Sequence, residues 1–107
     1  MVARVTLAEV DVVRMSLDAA LELYRSSVIP ALHAQPGYEG CYVLTTAEGK
    51  AVVMTLWSDE EAADAGLASG HYAGQVAKFA TFFRSPPGRD TYDVGIAEAP
   101  LGARSRV

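Results

Sequence analysis

The sequence is poor in the residues that mark disulfide-linked, metal-binding and nucleic-acid-binding proteins. Its 107 residues include one cysteine and two histidines, so an intrachain disulfide is excluded and no zinc-type cysteine and histidine spacing is present. Nine lysines and arginines are scattered among thirteen acidic residues, which gives a formal net charge of -4. Because a basic face for phosphates is lacking, we expect no nucleic acid as a partner. The cysteine and histidine spacing likewise gives no reason to expect a bound metal.

Long hydrophobic runs are also absent. No stretch approaches the ~20 apolar residues that cross a bilayer, and residues 1–5 do not begin a charged-then-apolar signal pattern. We therefore expect no membrane partner and a cytoplasmic location. Half of the residues are hydrophobic, and a chain of this length can bury one core. We predict one domain over residues 1–99 and a C-terminal tail over 100–107.

Hydrophobic periodicity predicts the element order β, α, β, β, α, β. A run rich in β-branched residues favours a first strand over Val5–Val13. Ser16 then caps a helix whose apolar residues recur every three or four positions, so that one side of it is buried. Pro30 should kink this helix, because proline lacks the amide donor and clashes with the preceding turn. The apolar stripe consists of Leu17, Ala20, Leu21, Tyr24, Val28 and Leu32.

A hairpin is predicted in the middle of the chain. Its strands are Tyr38–Thr46 and Lys50–Trp57, joined by a two-residue turn at 48–49. This turn sets Leu44 opposite Val53 and Tyr42 opposite Thr55. Since side chains alternate along a strand, these four residues share a face with Trp57.

Two helical segments and a last strand follow. Ser58 and Glu61 have the spacing of a capping box, so a helix should start directly after Trp57. Gly70 should end it. A second helical segment is predicted over His71–Phe83 and a final strand over Asp90–Ala97.

The strand at 51–57 is apolar on both sides, whereas an antiparallel strand with one face in water should alternate. Its second face, predicted to carry Val52, Met54 and Leu56 with Cys41 and Val43, therefore needs a cover. A second copy of the chain is the simplest cover. The alternative is that the tail folds over this face.

The first face is predicted to form a pocket under the helices. An apolar lining with a few polar groups is typical of a small-ligand site. The alternative is an ordinary core in which Trp57 is a filler. His71, at a helix start, is either a general base or a partly exposed surface residue. The predicted lining comprises Tyr24, Tyr42, Leu44, Val53, Thr55, Trp57, His71 and Tyr72.

Three short motifs carry a resemblance to a known family. They are Pro36-Gly37-Tyr38, the apolar strand ending in Trp57-Ser58-Asp59, and Ser69-Gly70-His71-Tyr72. Together they resemble the antibiotic biosynthesis monooxygenase (ABM) family. The resemblance implies an α+β, ferredoxin-like βαββαβ fold with an antiparallel sheet, and a homodimer in which two sheets pack into an α/β barrel.

The same resemblance implies a range of activities. The quinone-forming members use no cofactor and carry an Asn and a Tyr where this chain has Val53 and Ala63. Haem-degrading members need a second Trp and a ligand His where Gly66 and Gln75 or Val76 stand. Specific haem binding is therefore not expected. No other cofactor is expected either.

The resulting hypothesis is a cofactor-independent monooxygenase acting on a small aromatic or polycyclic molecule. Its catalytic residues would be His71 as base, Trp57 as the flat wall and Tyr42 as a hydroxyl donor, and substrate would contact Tyr24, Leu44, Val53, Thr55 and Tyr72. The alternative is a non-catalytic ligand-binding or structural dimer of the same fold.

Overall fold

A computed structural model describes residues 1–82 and 88–98 and shows a four-stranded antiparallel sheet with its helices packed on one face. The strands are β1 (Val2–Glu9), β2 (Tyr38–Thr45), β3 (Lys50–Trp57) and β4 (Gly88–Asp93), in the order β2-β3-β1-β4. The helices are α1 (Leu17–Leu23), α2 (Ile29–His33), α3 (Glu60–Leu67) and α4 (Gly70–Val76). The predicted α+β ferredoxin-like fold is confirmed. The predicted tail lies outside the described residues.

The first strand starts and ends earlier than predicted. β1 ends at Glu9, and the Asp11 side chain then accepts a hydrogen bond from the Val13 backbone N–H at 3.0 Å. An aspartate that bonds the backbone two residues on makes a turn. This turn removes Val12 and Val13 from the sheet despite their high strand propensity, and Val13 is 90% exposed.

The first helix is capped as predicted but is irregular one turn before Pro30. Ser16 accepts a 3.1 Å hydrogen bond from the Ala19 backbone N–H. A π-helical turn at Tyr24–Val28 then joins α1 to α2, and the Ile29 N–H bonds to the Tyr24 carbonyl five residues back. A widened turn suits Pro30, which cannot donate to the preceding turn and needs room for its ring.

The later helices also differ in detail from the prediction. The N-cap of α3 is Asp59, which accepts from the Ala62 N–H at 2.7 Å, whereas the Ser58 N–H is bonded to the Gly37 carbonyl. The predicted capping box at Ser58 is therefore wrong. Ser69 caps α4 by accepting from the Tyr72 N–H. A 3-10 segment at Ala77–Phe82 continues α4, and residue 83 lies outside the described residues.

The hairpin has a three-residue loop, which shifts the predicted register. Thr45 pairs with Ala51, the Thr46 N–H bonds to the Lys50 carbonyl, and Gly49 has φ of 97°. A three-residue loop with glycine in the left-handed region is a common hairpin connection. It places Leu44 opposite Val52.

That single extra loop residue exchanges the two faces of β2, because side chains alternate with period two. Tyr42, opposite Met54, and Leu44 lie on the face away from the helices and are half exposed. Cys41 and Val43, opposite Thr55 and Val53, lie on the helix face. The predicted positions of Tyr42, Leu44, Cys41 and Val43 are therefore wrong.

The last strand is shorter than predicted. β4 pairs with β1 from Leu7↔Gly88 to Val2↔Asp93, where β1 begins. Beyond that point Val94 bonds to the Met1 carbonyl, and Ile96 is 91% exposed. Strand β4 therefore cannot continue to Ala97 as predicted, because β1 offers no further partner.

The hydrophobic core lies between the sheet and the helices. Its largest fully buried side chains are Trp57, Leu32 and Val28. Within the part of the chain that the structure describes, no helix is long and apolar enough to cross a membrane.

Candidate functional site

A cavity of about 80 Å³ lies between the sheet and the helices. Its sheet side is made by residues whose side chains point toward the helices: Thr6, Ala8, Val43, Thr45, Ala51 and Val53. Its helix side is formed mainly by Leu17, Ala20, Leu21, Tyr24, Val76 and Phe79. The lining is almost wholly apolar, as in sites that hold small organic molecules.

The polar groups of the lining are few, and each of them can donate a hydrogen bond. They are two tyrosine hydroxyls, two threonine hydroxyls and one guanidinium, from Tyr24, Tyr72, Thr6, Thr45 and Arg89. Among the described lining residues there is no carboxylate and no imidazole. The pocket can therefore donate hydrogen bonds to an anion, but its described part holds no side chain suited to act as a general base.

Tyr24 occupies the start of the π-helical turn and points toward the sheet. Its hydroxyl lies 3.5 Å from the Cys41 thiol, and its ring centroid lies 6.2 Å from that of Phe79. Burial, with a smaller contribution from Cys41, raises the pKa of Tyr24 far above its ordinary value. The phenol therefore stays neutral and keeps its proton to donate.

Tyr72 lies on α4 beside the only cationic group of the described lining. Burial raises the pKa of Tyr72, and the positive charges of Arg89 and Arg4 oppose that rise. Both arginines are on the helix face of adjacent strands, because Arg89 pairs with Thr6 and Arg4 pairs with Thr91. Arg4 forms an ion pair with Asp64 of α3. Arg89 is exposed at the edge of the cavity.

Cys41 lies behind Tyr24 and interacts with a second tyrosine. Its thiol also hydrogen-bonds the Tyr38 phenol, and burial raises the pKa of the thiol although both phenols oppose this. Burial raises the pKa of Tyr38 to about 12. A thiol held neutral in this way is a poor nucleophile, so Cys41 acts as a packing and hydrogen-bonding group.

Trp57 is a core residue and does not line the cavity. It is fully buried, its indole Nε1 donates a 2.9 Å hydrogen bond to Thr55 Oγ1, and the Tyr38 ring packs against it edge-on at 5.5 Å. Gly66 of α3 covers the ring, since a Cβ there would lie 2.5 Å from Cη2. Of the two readings of Trp57 from the sequence, the structure supports the core filler.

The structure brings together three of the eight predicted site residues. Tyr24, Val53 and Tyr72 line the cavity. Trp57 and Thr55 are buried beside it in the core, and His71 is exposed in the first turn of α4 and outside the lining. The remaining two, Tyr42 and Leu44, lie on the opposite face of the sheet.

Sequence reasoning missed Arg89 and the cavity residues Val43, Phe79 and Val76. Val43 was assigned to the wrong face through the hairpin turn. Phe79 and Val76 lie within the predicted helical segment His71–Phe83, and apolar residues at helical spacing do not distinguish a core from a cavity. The signal for Arg89 was weak, because the last strand was predicted to begin one residue later. Among the described residues, no cluster of three potential metal ligands is present.

Comparison with known proteins identifies the family. The sequence profile of the antibiotic biosynthesis monooxygenase family matches residues 4–78. The chain belongs to that family, and the resemblance noted in the sequence is confirmed. No curated protein matches the chain.

Solved structures of similar fold include three bacterial proteins. A Nitrosomonas europaea protein of unknown function is 25% identical, with a TM-score of 0.72 over 94% of this chain and 95% of that one. SnoaB, a cofactor-independent oxygenase from Streptomyces nogalater, is 16% identical, with a TM-score of 0.70 over 94% of this chain and 96% of that one. A Mycobacterium tuberculosis protein is 19% identical, with a TM-score of 0.68 over 92% and 98%. Such low identities establish the shared fold and leave the activity to be argued from the site.

Proposed function

We propose that this protein is a cofactor-independent oxygenase of a small, electron-rich aromatic compound that binds in the cavity between the sheet and the helices. The observation that carries the proposal is the chemistry of the lining. An apolar cavity suits a ring, and its four hydroxyls and one guanidinium can all donate hydrogen bonds to an anion. Family membership and the fold shared with SnoaB support the same reaction class.

The reaction needs no electrons from the protein. A phenol with a hydrogen on its para carbon reacts with one O₂ to give a quinone and one water. The C–H and O–H bonds break, one oxygen atom becomes the new carbonyl, and the other leaves as water with the two hydrogens. All four electrons come from the substrate, through its phenolate form.

The protein's part is to hold the substrate and favour its anion. The neutral hydroxyls of Tyr24 and Tyr72 are the donors to the phenolate oxygen, and Arg89 supplies positive charge at the edge of the cavity. Donors fixed in an apolar site stabilise developing charge more strongly than they do in water. The substrate proton is released to water at the mouth of the cavity, so a protein base is not required.

A second reading, a non-catalytic ligand-binding protein, is favoured by one observation. The described lining has no group that could remove a proton. A binding protein would bind an aromatic ligand and be stabilised by it through mass action, without consuming O₂.

We also propose that the chain is a homodimer through the open face of the sheet. That face exposes large apolar side chains, with Leu7 58%, Tyr42 49%, Leu44 54% and Tyr92 55% accessible. Met54 lies between Val5 and Tyr42 in the middle of it. A contiguous apolar patch of this kind on a folded domain marks an interface, and a second copy would bury it with twofold symmetry.

Oxygen-electrode measurements with hydroxybenzoates that carry a hydrogen para to the hydroxyl, and with anthrones, test the oxygenase. We expect uptake above buffer with at least one of these classes, lowered about 10²- to 10³-fold by Tyr24→Phe or Tyr72→Phe, the loss typical of one oxyanion donor. The matched control is Tyr92→Phe, which removes a hydroxyl from the open face of the sheet, away from the cavity. Thermal stabilisation by a phenol without O₂ uptake would establish the binding protein instead.

A further inference from the structure

The size of the cavity restricts its occupant to one aromatic ring. An apolar cavity of ~150 Å³ is known to admit benzene, whereas the cavity here is about 80 Å³ and is partly open to solvent. A single ring would fill this cavity and extend, with its substituents, into the open part. A fused three-ring system would require the lining to separate.

The walls of the cavity resist that separation. One side is the hydrogen-bonded sheet, where Thr6 pairs with Val53 and Val53 with Val43. On the helix side, Tyr24 is held between the Cys41 thiol and the ring of Phe79. Closely packed interiors of this kind do not expand at low cost.

Arg89, an exposed residue at the edge of the cavity, carries an unbalanced positive charge. Arg4 is paired with Asp64, whereas no ion pair joins Arg89 to a carboxylate among the described residues. The neighbours of Arg89 on the same face are Thr91 along β4 and Thr6 across on β1, neither of them acidic. In a chain of net charge -4, a cation left free beside an apolar cavity and a tyrosine is suited to an anionic ligand.

We propose that the ligand is a single-ring aromatic carboxylate, whose ring enters the cavity and whose carboxylate is bound by the Arg89 guanidinium with the Tyr72 hydroxyl as a further donor. A guanidinium can bind both oxygens of a carboxylate in one plane. This inference rests on the proposed function for the location of the substrate and adds its size and its charged group. A hydroxybenzoate with a free position para to its hydroxyl combines these features with the oxygenation chemistry described above.

Calorimetric titration separates size from charge with four probes: benzoate, benzamide, 2-naphthoate and anthracene-9-carboxylate. We expect benzoate to bind more than about 10-fold tighter than benzamide, which has the same shape without the charge. We expect anthracene-9-carboxylate to bind more weakly than benzoate, with 2-naphthoate between them. Equal affinity for benzoate and benzamide, or tightest binding of the three-ring acid, would overturn the inference.

Substitution of Arg89 provides a second test. Arg89→Gln should weaken benzoate binding roughly 10- to 100-fold and leave benzamide binding unchanged, so a folding defect would be recognised by loss of both. The matched control is Arg25→Gln, which removes an exposed arginine that pairs with Glu22 away from the cavity. Unchanged benzoate affinity in Arg89→Gln would contradict the proposal.

The outcomes distinguish this inference from the oxygenase proposal. Selective, Arg89-dependent benzoate binding with no O₂ uptake from any phenol would uphold the ligand class and reject the oxygenase. O₂ uptake with neutral or polycyclic phenols that is insensitive to Arg89→Gln would uphold the oxygenase and reject the ligand class.

Discussion

The indole N–H of Trp57 is bonded to the hydroxyl of Thr55, two residues earlier on the same strand, at 2.9 Å. The same hydroxyl lies 3.5 Å from the Arg4 carbonyl of β1, to which it can donate. Thr55 is thus the single polar side chain in the buried core of the described residues, and both of its hydrogen-bonding functions are used. This contact helps to hold the indole in the core, where it is not part of the cavity lining.

Thr55→Val should destabilise the protein by about 1–3 kcal/mol, because it leaves the buried indole N–H without an acceptor. Denaturant unfolding measures the loss. Thr91→Val, at an exposed position of β4, is the control and should change stability by less than about 0.5 kcal/mol.

A double-mutant cycle with Trp57→Phe isolates the hydrogen bond from the change in packing. Thr55→Val should cost about 1 kcal/mol less in the Trp57→Phe variant than in the wild type. Equal costs in the two backgrounds would show that the contact contributes nothing to stability.

Gly66→Ala should destabilise the fold, although alanine is the better helix former. The new Cβ would lie 2.5 Å from Cη2 and Cζ3 of the buried indole, and neither the ring nor the helix can yield easily. Overpacking of this kind costs about 1–3 kcal/mol. Gly74→Ala in α4 is the matched control, since its Cβ would meet nothing within 4 Å. It should stabilise by about 0.4–1 kcal/mol. The measurement is thermal unfolding: a lower melting temperature for Gly66→Ala and a higher one for Gly74→Ala would confirm that the ring of Trp57 leaves no room at residue 66.

The sequence predicted the fold and one face of one strand correctly. The alternation of Val53, Thr55 and Trp57 toward the helices needs only the period of a strand, and it is confirmed. The positions of Tyr42 and Leu44 depend on the number of residues in one hairpin loop. Because the loop has three residues and not two, both side chains lie on the opposite face.

The site was harder to predict because it depends on contacts distant in sequence. That Trp57 fills the core follows from the approach of Gly66 nine residues later; a glycine inside a predicted helix was the available signal of close packing. The role proposed for Arg89 depends on the pairing of β4 with β1, which brings it beside Thr6 and Tyr72. Nothing local in the sequence distinguishes this arginine from the other exposed cations.

Stability should fall in alkaline solution through the buried tyrosines. Burial raises the pKa of Tyr38 from 10.0 to about 12, and the pKa of Tyr24 moves in the same direction. Below pH 10.0 these phenols are protonated in both the folded and the unfolded state, so the free energy of unfolding keeps its full value. The free energy of unfolding falls as pH rises toward 12, because the unfolded chain releases a proton that the folded chain retains.

Urea unfolding at about pH 9, 10 and 11 measures this slope. Tyr38→Phe should make the dependence on pH shallower above about pH 10, because one proton no longer differs between the two states. A Tyr38→Phe slope identical to that of the wild type would show that this phenol ionises as easily in the fold as in the unfolded chain.

His71→Ala should leave oxygenation within about twofold of wild type, whereas loss of a positioned base would cost ~10²–10⁴-fold. The reason is its position: His71 is exposed in the first turn of α4 and is not among the residues of the cavity. The measurement is O₂ uptake with the best phenolic substrate. A loss of two or more orders of magnitude would restore His71 as the base and would require α4 to move in the complex.

Met54→Asp should convert a dimer to a monomer or an aggregate. Met54 lies on the open face between Val5 of β1 and Tyr42 of β2, so a second copy covering this face would bury the new carboxylate without a partner. An unpaired buried charge costs several kcal/mol, enough to separate a dimer held by one sheet face. Light scattering after size exclusion at micromolar concentration measures the mass.

Ala73→Asp, at an exposed position of α4, adds the same charge away from the sheet and should leave the dimer intact. A monodisperse wild-type monomer, or a Met54→Asp protein that remains dimeric, would show that the open face is not where two copies meet.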